Sequence, residues 1–269
     1  MVRYSICITN YNTVNTIRDA LEAITAQLPD DSEIVVVDNM SNDGSEKILK
    51  SYHDNGKIKL ISVKCSRGKG RQIALTASNG EYVISGLDMD DKFNPSLQHL
   101  LRFYHDKCNS LVLAGAGEAT IIAPRHILLE LGGWRDLQFR ENWELCRRAA
   151  VQGLYRWTIF PMVAESNPHP ERKNLLHMLK YRYIRYRENL RVGHKIFDKN
   201  EEIGYSQKMI LLVAKLSTLF MHRYQTNFSF WSVDPRYFID SRSYWPQAKE
   251  LVREAMLYRL LMGVNNLVQ

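Results

Sequence analysis

Apolar and polar residues follow two alternating rhythms along the first half of the chain. Tyr4–Thr9 alternates as a strand does. Thr16–Ala26 places Ile17, Ala20, Leu21 and Ile24 at helical spacing. Glu33–Val37 contains an unbroken β-branched run, the pattern of a strand buried on both faces. Ser45–Tyr52 reads as a short helix, Ile58–Val63 as a strand, Gly70–Ala77 as a helix and Glu81–Leu87 as a strand. Strands alternating with helices predict an α/β fold: βαβ units, a mainly parallel Rossmann-like sheet and helices on both faces. Ligands of such sheets lie beyond the C-terminal strand ends. Three polar clusters fall there: Asn10-Tyr11-Asn12, Asp38-Asn39 and Asp88–Asp91.

The rhythm changes near residue 165. Pro161, Pro168 and Pro170 punctuate the chain, and long helical patterns follow. We divide it into residues 1–165, a ligand-binding catalytic domain, and residues 166–269, a mostly helical C-terminal region. Leu175, Leu176, Leu179, Tyr183, Tyr186 and Leu190 recur at helical spacing, a stripe expected to pack on the core. Met209–Met221 is apolar but holds Lys215, and it is too short to span a bilayer. Residues 247–262 read as a last amphipathic helix.

The composition is that of a globular protein, with 45% hydrophobic and 24% charged residues among 269. Its net charge of +7 is unevenly placed. Residues 1–100 carry 11 Lys/Arg against 13 Asp/Glu, and residues 101–269 carry 25 against 16. The excess suggests an anionic partner for the C-terminal region. Within residues 172–191 seven Lys/Arg face one acid, Glu188. With the neighbouring tyrosines and leucines, this suits an anionic membrane surface; a solvated or ion-paired helix face is the alternative. Cys7, Cys65, Cys108 and Cys146 are scattered, which points to reduced thiols. The opening residues show no basic segment followed by an apolar one, so a cytoplasmic protein is expected, with peripheral attachment at the inner membrane face.

Asp88, Asp90 and Asp91 crowd three carboxylates at a predicted strand end. Such crowding is repulsive without a cation. Mg²⁺ or Mn²⁺ would take these oxygens and hold phosphates on its remaining positions. A solvated acidic turn before the helix after Pro95 is the plainer alternative. Asp38 can accept hydrogen bonds from a base or ribose, or cap its own turn. Arg71, near a helix start, can pair with phosphate. No nucleic-acid motif is present, and nucleic acid is not an expected partner.

Five motifs in order resemble the inverting GT-A type glycosyltransferases of family 2 over about residues 4–160. They are Ile8-Thr9-Asn10-Tyr11-Asn12, Val35–Ser45, Arg67-Gly68-Lys69-Gly70-Arg71-Gln72, Leu87–Asp91, and Gly132-Gly133-Trp134 with Arg140–Leu145. The resemblance implies a nucleotide-sugar donor, UDP- or GDP-linked, held by Thr9, Tyr11, Asn12, Asp38, Arg71 and Asp88. It implies a Mg²⁺ or Mn²⁺ ion on Asp90 and Asp88, with His169 as a further ligand. It implies transfer to an acceptor glycan or lipid-linked sugar. The sequence departs from the pattern at Asn142, where the family carries its usual catalytic aspartate. Asparagine is no base, which leaves Glu141 or Glu144 as catalytic carboxylates. A nucleotide-sugar-binding protein without catalysis is the second reading.

Overall fold

The computed structural model describes residues 2–115, 120–159, 163–166, 175–194, 204–224 and 228–244. Strands β1 (Tyr4–Asn10), β2 (Ser32–Asp38), β3 (Lys59–Ser62), β4 (Tyr82–Asp88), β6 (Val112–Gly115), β7 (Ile121–Pro124) and β8 (Tyr155–Thr158) form one sheet. Its order is β3-β2-β1-β4-β7-β6-β8. Only β7 pairs antiparallel with its neighbours. Two short strands, β5 (Asp91–Phe93) and β9 (Val163–Ser166), pair antiparallel beside it. The expected mainly parallel sheet is present. The short strands β5 to β9 carry too few residues for a periodic signal.

Alternation sorts the two cores. Ile6, Ile8, Ile34, Val36 and Ile84 face helices α1 (Ile17–Thr25) and α4 (Leu97–Lys107). Cys7, Val35, Val37 and Val83 face α3 (Arg67–Ala77), α5 (Arg125–Glu130) and α6 (Glu141–Val151). Helix α2 (Ser45–Asp54) covers β2 and β3 at the edge, with Leu49 buried. Burial on both faces is why the β2 run is continuously apolar. Each fully buried Val, Leu or Ile contributes roughly 1.5–3 kcal/mol.

One irregularity positions the site. Ile6 pairs with Ile84, but Ile8 pairs with Leu87, so β4 holds one extra residue against β1. Gly86 lies within that bulge at φ +83°, a backbone region that glycine adopts without strain. The bulge inverts the inward and outward order of β4. Ile84 and Leu87 therefore share one core although they are three residues apart. Asp88 is thereby paired with Thr9 and turned toward α3.

C-terminal to β9, α7 (Leu175–Val192) and α8 (Tyr205–Ser217) pack on one another. The expected core stripe of α7 holds only in part. Tyr186 is buried, whereas Leu175 and Leu176 are 66% and 73% exposed. Tyr181 meets the Phe139 ring, and the burial of α7 against the domain falls in its C-terminal half, at Tyr186, Glu188, Asn189, Arg191 and Val192. Here Arg187 and Arg191 pair with the buried Glu188. Residues 228–244 return to β8, where the Tyr155 hydroxyl donates to the Ser232 carbonyl (2.6 Å) and Trp157 Nε1 to that of Asp234 (2.7 Å). Among the described residues no helix is long and apolar enough to cross a membrane. The helix expected over residues 247–262 lies outside the described residues.

Candidate active site

The ends of β1, β2 and β4 open onto a cavity of about 120 Å³, lined by Thr9, Tyr11, Asn39, Arg67, Asp88 and Asp90 among others. It adjoins a larger cleft of about 650 Å³ under α7. Tyr11, Asn39, Cys65, Ser66, Arg67 and Gln138 line both spaces, so the two are continuous. His177, Lys180, Tyr181 and Arg185 supply the α7 wall of the cleft.

Hydrogen bonds fix the rim. Asn10 Nδ2 donates to Asp38 Oδ1 (2.7 Å). The Ser41 amide donates to Asp38 Oδ2 (2.9 Å) and the Ser41 hydroxyl to Oδ1 (2.6 Å). Asn12 locks the loops after β1 and β2 together: its amide donates to Ser41 Oγ, and its Oδ1 accepts from the Asn42 amide. Asp38 and Asn12 therefore shape the rim without lining either space; Asn39, next to Asp38, lines both. Tyr11 is half exposed, with Lys64 Nζ 5.3 Å from its ring centre.

The wall opposite the rim is the start of α3. Ser66 caps it, accepting from the Lys69 amide at 3.1 Å. Gly68 packs so tightly that a Cβ there would lie 2.1 Å from the Arg135 carbonyl oxygen. The glycines thus let α3 seat its first turn against the chain, with Arg67 in both spaces and Arg71 one turn deeper. Arg71 is buried. It donates to Glu141 and sits 3.6 Å from Asp88. The Thr9 hydroxyl donates to Asp88 Oδ1 at 2.8 Å. Burial alone would raise the Asp88 carboxyl. The positive charges of Arg67 and Arg71, with the Thr9 hydrogen bond, outweigh it and hold the group below the ordinary aspartate value.

The two glutamates expected as catalytic carboxylates lie in the first turn of α6. Both are buried and neither lines the cavity or the cleft. Glu141 accepts from Arg71. Glu144 accepts from Arg148 at 2.8–3.0 Å and lies 3.9 Å from Arg147. Asn142 accepts from Trp134 Nε1 at 2.8 Å. These bonds tie α6 to the segment around Gly133-Trp134. Arginine donors explain why the two acids can be buried here, and the tryptophan donor serves Asn142.

Asp88 and Asp90 do share one cavity. Among the described residues no group of three His, Cys, Asp or Glu could enclose a metal ion. Two carboxylates fit a Mg²⁺- or Mn²⁺-type ion whose other ligands are phosphate oxygens and water. His169 lies outside the described residues. Asn39 stood in the expected strand-end cluster without a role of its own, and Arg67 and Gln138 are lining residues that sequence reasoning did not assign to the site. The signal for Arg67 was present: it precedes Arg71 by four residues, one turn on the same helix face.

The doubly covered parallel sheet, with acids and a glycine-rich helix start at its C-terminal edge, defines a GT-A type α/β domain. The chain belongs to glycosyl transferase family 2, whose family model matches residues 5–156. An uncharacterized glycosyltransferase of Nostoc sp. is 29% identical over 107 residues, 38% of this chain and 33% of that protein. The poly(ribitol-phosphate) beta-N-acetylglucosaminyltransferase TarS of Staphylococcus aureus is 30% identical over 99 residues, 35% of this chain and 17% of that protein. These alignments span a third or less of the curated relatives. Among solved structures, the mannosyltransferase PcManGT of Pyrobaculum calidifontis, in complex with GDP-Man and Mn²⁺, superposes with TM-score 0.55 at 16% identity, covering 99% of this chain and 80% of that one. S. aureus TarS in complex with UDP gives TM-score 0.52 at 17% identity, covering 81% and 72%. Likeness at this identity shows a common fold.

Proposed function

We propose that the chain is an inverting glycosyltransferase that takes a UDP- or GDP-linked sugar and passes the sugar to an acceptor hydroxyl. The observation that carries this is the convergence of Asp88, Asp90 and Arg67 on one cavity beyond the strand ends. Tyr11 and Asn39 offer a ring face and an amide for the nucleoside, and Arg67 offers a cation for the diphosphate. Asp90 and Asp88 would hold a Mg²⁺ or Mn²⁺ ion, which would neutralise charge on the departing nucleoside diphosphate. In the transfer the acceptor oxygen bonds to the anomeric carbon as the bond to the diphosphate oxygen breaks. A carboxylate takes the acceptor proton. Glu141 is proposed for that role, from its position beside Asn142. One displacement inverts the anomeric centre.

The acceptor enters through the cleft under α7, whose lysines and arginines suit an anionic or lipid-linked glycan. A cytoplasmic location, residues 166–269 as the acceptor-side region, and His169 as a further metal ligand complete the proposal.

A second reading, donor binding without turnover, is favoured by the engagement of Glu141 and Glu144 in buried ion pairs. An arginine partner occupies carboxylate oxygen that would otherwise be free to meet an acceptor hydroxyl. Thermal shift with UDP- and GDP-sugars, with and without Mn²⁺, tests binding, because a ligand of the folded state raises its apparent stability. Release of nucleoside diphosphate on adding acceptor then supports the transferase. Binding with no release supports the second reading, and no shift with any donor overturns both.

A further inference from the structure

The α7–α8 surface carries two features that the cavity does not use. On α8, Met209, Leu212, Val213 and Leu216 are exposed at spacings of three, four and seven, and Phe220 continues their line at 95% exposure. The opposite side of the helix turns Ala214 into the protein, and Thr218 is buried just beyond its end. The amphipathic pattern is therefore inverted for a helix facing water. Leu175 and Leu176 extend the apolar surface on α7.

The charges around it share one sign. Residues 204–224 contain no Asp or Glu. The single acid of α7, Glu188, is buried against Arg187 and Arg191. Arg182 on α7 and Lys208 and Lys215 on α8 are exposed and lie outside the cleft lining. In a two-fold dimer built on this face these cations would meet themselves, so a second copy is a poor match. An anionic bilayer matches both the charge and the apolar stripe. Helix α8 is about 20 Å long, too short to cross the hydrocarbon layer but suited to lying along its boundary.

We propose that the α7–α8 hairpin is a docking surface for an anionic membrane, with the α8 stripe sunk among headgroups and the lysines and arginines on their phosphates. The same α7 walls the cleft through Lys180, Tyr181 and Arg185. Docking would thus set the cleft at the bilayer surface. This proposal stands apart from the transferase reading, since it concerns a different surface.

Flotation of the full chain with vesicles tests it. Phosphatidylcholine vesicles containing phosphatidylglycerol should carry the protein at low salt and release much of it at high salt. Vesicles of phosphatidylcholine alone should carry far less. Leu212→Ser with Leu216→Ser should weaken binding at least about tenfold. Lys208→Gln and Lys215→Gln should each weaken it about fivefold, on the anionic vesicles only. All four side chains are solvent-exposed, and unchanged circular dichroism would confirm that the variants fold. Failure to float with anionic vesicles at low salt, or equal binding by the leucine variant, overturns the proposal. Self-association that the leucine changes abolish, without vesicle binding, would make the face an interface between copies instead.

Discussion

Arg71 joins α3 to α6 by a buried hydrogen bond to Glu141, seventy residues away in sequence. Its other terminal nitrogen lies 3.6 Å from Asp88. One guanidinium thus holds the acid that lines the cavity and the acid proposed as base. Replacing Arg71 with Met leaves Glu141 buried without its hydrogen-bonded cation, with only the more distant charge of Arg67 facing it. We expect a loss of about 3–5 kcal/mol in urea unfolding. The double variant Arg71→Met, Glu141→Leu should recover part of it, since removing both charges costs less than stranding one. Additive losses would show that the pair is not coupled.

The two glutamates of α6 make a matched pair of tests. Glu141→Gln should lower turnover roughly 100-fold with donor affinity nearly kept, as loss of a general base does. Glu144→Gln should act on stability, by ~1–3 kcal/mol, because it weakens the charge that Arg148 and Arg147 share. If Glu141→Gln instead weakens donor binding by as much as it slows turnover, Glu141 acts through Arg71 and Asp88 and is a positioning residue.

Much of this arrangement was legible from residue order. The β1 run was readable from its alternation, and the β2 run because helices cover both faces and force apolar continuity. Val112–Gly115 and Ile121–Pro124 were not, since four apolar residues look the same in a strand and in a buried helix. The crowding of carboxylates at a strand end marked Asp88 and Asp90. Which face Asp88 takes depends on a one-residue bulge at Gly86, and no pattern of apolar residues encodes that. Asp38 was readable as polar at a strand end, but its partners, Asn10 and Ser41, are set by tertiary approach. The exposure of Leu175 and Leu176 was hidden because a helical period fixes a face and says nothing about how far the helix outruns its core.

That bulge makes its own prediction. Gly86→Ala forces a side chain into a left-handed backbone, at about 1–2 kcal/mol. Restoring regular pairing would relieve the strain but turn Asp88 to the other core. Donor binding should therefore fall by more than the stability loss explains. A stable variant with normal donor affinity would detach the bulge from function.

Asp88 gives a pH test with a defined sign. Its folded carboxyl titrates below the ordinary aspartate value. Its contribution is therefore complete above the unfolded value of about 3.9 and is lost as pH falls through the lower folded value. Asp88→Asn should be less stable than wild type by a roughly constant amount from neutrality down to about pH 5. The gap should close only in stronger acid. A gap that closes near neutrality would mean that Arg67 and Arg71 do not hold the charge.

Asp90 separates the cation from the fold. It follows the fully buried Met89 and lines the cavity rather than the core. The charge of Arg67 faces Asp90, but it also faces Asp88 and Glu141, so losing Asp90 does not strand that cation. Asp90→Ala removes one carboxylate from a crowded set, which leaves repulsion lower and unfolding stability near or slightly above wild type. A Mg²⁺- or Mn²⁺-type ion held by two carboxylates and phosphate oxygens cannot spare one of the two. Titration of a nucleoside diphosphate should therefore show Mn²⁺-enhanced affinity in wild type and none in Asp90→Ala, with metal-free affinity little changed. Equal Mn²⁺ enhancement in both proteins would place the ion elsewhere and leave Asp90 as a turn residue.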